Sequence, residues 1–416
     1  MSPALIAAIA LLPLIAWRIV RTALARLGDR SPAARENALK YFSPEEIDRG
    51  RMHTRAYLLP GLARTAPALA LLWALIFLSL AGRMETVAES VFSSLPLQAG
   101  CFLAIYIGVY TVVFAPLEIY SGYVLGRRLG TLRQTFAQWL GFQARGLAVN
   151  FLLTWIVLSV FVFVVRAFPH YWWVIAATVL TLFVVLLVFL QPILLAPVFH
   201  RFSRLGEGPL RDRLLVLCRE AGVEAYDVFV QHESKVSTHT NAYFTGVGGS
   251  RRIVLFDNLL DSHPPDEIAV IVTHEAGHWS HGHIFIGIVL SAASIFAGSF
   301  VLHYLFGVRG VEEFFGTSVS RLSVLPVITL LAMLASVFIG PCASAVSRIF
   351  ERQADATALK ITRAPDAFIS AQARLVRDNN IDVLPHPLLA RLYASHPTAL
   401  QRIRFAIESS KKKTES

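Results

Sequence analysis

Runs of apolar residues long enough to cross a lipid bilayer recur along the chain, at 3–20, 66–82, 97–117, 147–165, 172–194, 284–306 and 323–345. A helix needs ~20 such residues to span the hydrocarbon layer, where every backbone polar group must be bonded within its own segment. The chain is 55% hydrophobic and only 16% charged, which takes it out of the soluble globular class. The expected fold is therefore an α-helical polytopic membrane protein with about seven transmembrane helices. The opening "MSPALIAAIALLPLIAWRIV" lacks a basic leader and a small-residue cleavage site, so it reads as the first of these spans. Cys101, Cys218 and Cys342 are scattered, which excludes a disulfide framework or a cysteine-rich zinc site.

Loop charge tests the count. The first loop carries Arg18, Arg21, Arg26, Arg30, Arg35, Lys40, Arg49, Arg51, Arg55 and Arg64, whereas the second sets Arg83 against Glu85 and Glu89. The third is basic again through Arg127, Arg128, Arg133 and Arg145. The fourth is a few residues around Arg166, the fifth is long and basic, the sixth holds Glu312 and Glu313, and the tail is basic. Basic loops stay in the cytoplasm, so this alternation predicts a start outside and a tail inside. The net charge of +10 is assigned to that bias and to anionic membrane lipid, with no nucleic-acid partner. Basic positions filled mostly by Arg point to a bacterial owner, hence to a bacterial inner membrane. The expected organisation is an N-terminal membrane region of five spans over 1–194, a soluble segment over 195–283, two further spans over 284–345 and a second soluble segment over 346–416. The two soluble segments lie on the same face and can fold together.

The chemistry sits where the fifth loop meets the sixth span, in "THEAGHWSHGH". His274-Glu275-Ala276-Gly277-His278 is an HExxH sequence, and residues four apart share one helix face, so two imidazoles can hold one metal ion. Pro264 and Pro265, then Asp266 and Glu267, then "IAVIV", predict that helix. Glu275 is the expected base. A catalytic zinc site takes three protein ligands and keeps one position open. The third candidate lies in "SRIFERQADATALKI", where Glu351 and Asp355 share a helix face. One can bind the metal while the other accepts a hydrogen bond from a ligand histidine. His281 and His283 are read as surface or substrate-channel residues. His396 in "SHPTALQRI", near Arg402, is a candidate donor to the oxyanion of a tetrahedral intermediate.

These segments together resemble the membrane zinc metalloproteases that include the type 1 CAAX prenyl endopeptidases. "NAYFTG" (241–246), "RRIVLFDNLL" (251–260), "HEAGHWSHGH", "ERQAD" and "SHPTALQRI" follow the family's order, and "GTLRQTFAQWLGFQARG" resembles its third loop. The similarity covers about 115–405. Thr238-His239-Thr240 departs from it, since the family more often has serines there. The resemblance implies seven helices around a water-filled chamber, capped by a mostly helical cytoplasmic zinc-metalloprotease domain with a small β element, made from 195–283 and 346–416. It implies one Zn2+ per chain held by His274, His278 and Glu351, with Glu275 as base, Asp355 supporting a ligand and His396 facing the reacting carbonyl. Asn241 and Ala242 match the segment that pairs with an extended peptide, and Arg402 stands with His396 in substrate binding. The expected substrate is a peptide or protein, with or without a lipid.

Two alternatives stand beside this reading. One is a heat-shock-type quality-control zinc protease of the membrane, which shares the metal site but carries fewer spans. The other is a non-catalytic zinc-containing receptor or channel, which has no use for Glu275. No GxSxG elbow or GxGD motif supports another protease class.

Overall fold

The computed structural model describes residues 3–246 and 251–414. Six helices among the described residues are long and apolar enough to cross a membrane, and a further helix covers the first expected span. The helices at the expected crossings are α1 (Pro3–Leu27), α2 (Pro44–Phe77), α3 (Leu95–Glu118), α4 (Phe136–Ala167) and α5 (Trp172–Leu190). A short α6 (Pro209–Glu220) precedes α7 (Pro265–Ser280). Then come α8 (His283–Gly307), α9 (Leu325–Thr362), α10 (Pro365–Asp378) and α11 (Ala399–Thr414).

Two helices run well past the apolar windows. α2 starts 22 residues before the expected span at 66, although Pro60, Pro67 and several arginines lie in its path. A capping box sets its start: Ser43 accepts from the Glu46 N–H while Glu46 accepts from the Ser43 N–H. α9 passes residue 345 unbroken and carries on through Thr362, 38 residues or about 57 Å of helix. A single rod therefore links the membrane layer to the soluble layer.

The loops sort into two groups, as alternation requires. The first loop packs onto the soluble layer: Ala38, Phe42 and Ile47 are buried with Ala373, Val376, Leu384 and Ile403. The Asp29 N–H donates to the Leu384 carbonyl at 2.8 Å, and Arg377 pairs with Glu46 at 2.7 Å. The third loop joins the same layer, with the Arg133 N–H donating to the Val236 carbonyl at 3.0 Å. At the opposite end the second, fourth and sixth loops meet. Arg166 donates to the Ser320 carbonyl, and Phe77 packs on Phe314 and Phe315. An odd number of crossings lies between the two groups.

The soluble layer has a four-stranded sheet in the order β1 (Phe202–Arg204), β2 (Asp227–Gln231), β4 (Arg252–Phe256), β3 (Ala242–Thr245). β2 and β4 are parallel and the outer pairs antiparallel, which leaves β3 as an edge strand. One face of the sheet packs on α6, α7 and α10 through Leu214, Val228, Phe244, Ile253, Leu255, Ile268, Val272 and Ala371. In the membrane layer α4, α5, α8 and α9 surround a cavity of about 890 Å³. Its walls are apolar almost throughout (Leu158, Phe161, Phe183, Leu290, Leu331, Val346), and its place among the helices is roughly consistent with the chamber that the resemblance implies.

Glu85 ties the far end together. It is 1% exposed, and it accepts from Arg321 Nε at 3.1 Å, the Leu322 N–H at 3.0 Å and the Ser323 N–H at 3.3 Å. Its removal orphans two buried amides, each costing about 1–3 kcal/mol. Glu85→Ala is expected to lower the thermal midpoint in detergent while leaving metal content unchanged. An unaltered midpoint on heating monitored by circular dichroism contradicts this anchoring role.

Candidate active site

α7 forms as its sequence dictates, with Pro265 at its first position, Asp266 and Glu267 in the first turn, and nearly every residue from Glu267 to Gly277 buried. Its HExxH face lies against α9. Gly277 makes that contact possible, because a Cβ there would meet the Ala354 Cα at 3.0 Å and the Thr357 Cβ at 3.2 Å. The glycine that weakens the helix in isolation thus lets two helix backbones approach closely. Glu351 and Asp355 on α9 then face His274 and His278.

Three residues converge. His274 Nε2 lies 3.2 Å from His278 Nε2, His274 Nε2 lies 3.4 Å from Glu351 Oε2, and His278 Nε2 lies 3.3 Å from Glu351 Oε1. This trio is a group able to hold a metal ion. Zinc–ligand bonds of ~2.0–2.1 Å in tetrahedral arrangement put ligand atoms about 3.3–3.4 Å apart, so the spacing fits such an ion. Glu351 Oε2 is also buried without a well-aligned hydrogen-bond donor, as a metal-facing oxygen should be.

Behind the first ligand, His274 Nδ1 is 2.8 Å from Asp355 Oδ1. Asp355, 1% exposed, is held in turn by Arg402 through both guanidinium contacts, Nε to Oδ2 at 2.9 Å and Nη2 to Oδ1. Arg402 reaches this place because Thr398 caps α11, with Gln401 completing the box. Its guanidinium is therefore committed to Asp355, with Nη2 also 3.3 Å from His274 Nδ1. His396 is exposed, and its Nδ1 lies 2.9 Å from Glu351 Oε2. Arg348 donates to the Ala394 carbonyl at 2.7 Å and holds the segment that carries it.

Glu275 lines a small cavity of about 250 Å³ with Phe244, His278, Trp279, His283 and Ile284. Burial pushes its carboxyl up from the ordinary range, against the pull of His274 and His278. Phe244 belongs to the edge strand β3 and packs on Trp279. Ala242 is buried within β3, whereas Asn241 is exposed and turns its carboxamide oxygen to the Ala242 N–H. Asn379 clamps the preceding residues, accepting from the Thr240 N–H and donating to the Thr240 carbonyl, both at 3.1 Å. His281 is exposed and its ring bonds the Gly277 carbonyl at 2.9 Å. His283 is only 5% exposed and contacts His278, so the surface reading does not hold for it. Local sequence signals neither Asn379, His283 nor the tie between Arg402 and Asp355, since all three partnerships span helices or a turn.

The comparisons with known proteins agree with this geometry. Residues 205–409 match the model of peptidase family M48, and residues 26–201 match that of the CAAX prenyl protease N-terminal region, five membrane helices. CAAX prenyl protease 1 of Saccharomyces cerevisiae is 31% identical over 353 residues, covering 79% of this chain and 74% of the relative. The chain belongs to this family. As an M48 peptidase it is a multi-pass membrane metalloprotease, and the match over 26–201 speaks against the heat-shock alternative. Bacillus subtilis YhfN, named an uncharacterized metalloprotease, is 29% identical over 80% of each chain. The crystal structure of S. mikatae Ste24p has the same fold, with a TM-score of 0.85 at 23% identity over 98% of this chain and 99% of the other.

In the metal-free protein, burial alone would depress the His274 imidazole, but its hydrogen bonds to Asp355 and Glu351 outweigh that and raise it to about 9. Zinc takes the neutral ring, so below that pH it must displace a proton. Apparent zinc affinity, measured by chelator competition, is expected to rise about tenfold per pH unit between pH 6 and 8. A flat profile contradicts the protonated state of the metal-free site.

Proposed function

We propose that the chain is an integral-membrane zinc endopeptidase that holds one Zn2+ through His274, His278 and Glu351 and cleaves peptide bonds in substrates laid along β3. The observation that carries the reading is that the two imidazole Nε2 atoms lie 3.2 Å apart and each lies 3.3–3.4 Å from one oxygen of the Glu351 carboxylate, beside a half-enclosed carboxylate, Glu275. When bound there, zinc supplies a Lewis acid that polarises a carbonyl and acidifies a water near neutral pH.

The residues of the chain do the rest. Glu275, whose carboxyl is raised by burial, takes a proton from the attacking water and delivers it to the leaving amine. Asp355, fixed by Arg402, accepts the Nδ1–H of His274 and keeps Nε2 free for the metal. Exposed His396, whose Nδ1 lies 2.9 Å from Glu351 Oε2 and so stands beside the ligand set, donates to the developing oxyanion. Arg402 contributes charge from behind Asp355 rather than by reaching the substrate itself.

An extended peptide gains main-chain hydrogen bonds by adding to the free edge of β3 at Asn241 and Ala242. A neighbouring side chain enters the cavity between Phe244, Trp279 and Ile284, which favours an apolar residue there. The larger apolar cavity runs along α9 to Val346, five residues or about 7.5 Å from Glu351, and it suits a lipid chain on the same substrate. The basic charge of the first and third loops supports a soluble layer on the cytoplasmic side of a bacterial inner membrane, next to anionic lipid. Nucleic acid has no part in this reading.

Glu275→Gln separates chemistry from assembly. The variant is expected to keep one zinc per chain by elemental analysis and to lose at least about 100-fold in kcat on a fluorogenic peptide. Cleavage near the wild-type rate by the zinc-loaded variant refutes the assignment of Glu275. It also reopens the non-catalytic alternative if the wild-type protein is equally inert.

A further inference from the structure

A histidine that binds a metal through Nε2 must carry its proton on Nδ1, and that proton needs an acceptor. For His274 the acceptor is Asp355. For His278 the acceptor is a second imidazole: His278 Nδ1 lies 2.9 Å from Nδ1 of His283, five residues further along. His283 is brought back by the turn at Gly282, whose φ of +68° ends α7 and starts α8 with His283 as its first residue. The His283 ring lies flat on Phe350 of α9, with centroids 4.1 Å apart and planes 9° apart. Its other nitrogen, Nε2, is 2.8 Å from Gln353 Oε1, also on α9.

We infer that His283, fixed by Gln353 and Phe350, is a positioning residue for the metal centre that holds His278 in its metal-binding tautomer. The inference rests on the ligand set of the proposed function. Each proton then has one address. Metal on His278 Nε2 puts the proton on Nδ1, which donates to His283 Nδ1. The His283 proton must therefore sit on Nε2, which donates to Gln353 Oε1. The reverse assignment puts a proton on His278 Nε2, pointed at His274 Nε2 3.2 Å away and at Glu351 Oε1 3.3 Å away, in the space the ion needs. Both ligand histidines are thus braced on α9, within five residues of each other. One is braced directly by a carboxylate that Arg402 locks, the other through a neutral ring and an amide.

The test uses full-length protein in detergent and compares zinc affinity by chelator competition, the visible spectrum of the cobalt-substituted protein, and the thermal midpoint of the metal-free protein. His283→Phe keeps a ring over Phe350 but removes the acceptor. It is expected to weaken zinc binding about 10- to 100-fold and to alter the cobalt spectrum, with the metal-free midpoint unchanged. His283→Asn offers an oxygen near the lost nitrogen and is expected to restore affinity to within about 3-fold of wild type. Gln353→Leu, at an exposed helix position, is expected to weaken binding about 3- to 10-fold, and it decides the matter should His283→Phe fail to fold. Wild-type zinc affinity in both His283→Phe and Gln353→Leu, or equal losses in His283→Phe and His283→Asn, overturns the inference. His278→Ala distinguishes the premises: if it loses zinc while His283→Phe and Gln353→Leu do not, the ligand set stands and the brace falls. Zinc held by His278→Ala at wild-type affinity sinks both.

Discussion

The packing of α7 on α9 at Gly277 governs the rest of the architecture. Two helix backbones come close only where one of them lacks a side chain, and the Ala354 Cα occupies the space a Cβ would take. That approach puts the HExxH face opposite a Glu-x-x-x-Asp face, so that ligands distant in sequence reach one point. Val270, Ala358, Leu359, Phe368 and Ala406 seal the same contact with α10 and α11. Because α9 is also a helix long and apolar enough to span a membrane, the candidate metal site is coupled to the packing of the transmembrane layer. A shift of that span moves Glu351, Asp355 and Gln353 together.

The soluble layer is a composite for a related reason. A sheet of four short strands buries one face, and 195–283 alone supplies too few helices to cover it. The first loop, the third loop and the tail complete the layer, each returned to the same side by an even number of further crossings. At the other end a single buried carboxylate, Glu85, gathers the returning loops. Charge alternation thus has a packing counterpart: the loops that the arginines keep on one side are the ones that share a core.

Much of this was legible in the residues. The approximate span count and the sorting of the loops into two groups follow from apolar length and loop charge, which act locally and additively. The candidate metal-binding group follows from His274 and His278 at helical spacing and from Glu351 just beyond the last apolar run. Helix ends were less readable, because the capping box at Ser43 starts α2 inside a basic stretch whose arginines and prolines look like a loop. Arg402 looked like a substrate contact, yet its charge is neutralised by Asp355, 47 residues earlier. The polar "WSHGH" run reads as surface or substrate channel at His283, but the left-handed turn at Gly282 folds it inward against Phe350. In each of these cases the partner is distant in sequence or set by one backbone angle, and no periodicity registers it.

In the proposed site two imidazoles and one carboxylate share a single ion that keeps a position open. Zinc K-edge X-ray absorption on the purified protein loaded with one equivalent of zinc reads that shell. The expected result is two imidazole rings and light oxygen scatterers at ~2.0–2.1 Å, four neighbours in all, with one neighbour replaced when a hydroxamate is added. A sulfur neighbour at ~2.3 Å, a single imidazole, or a shell that hydroxamate leaves unchanged contradicts it.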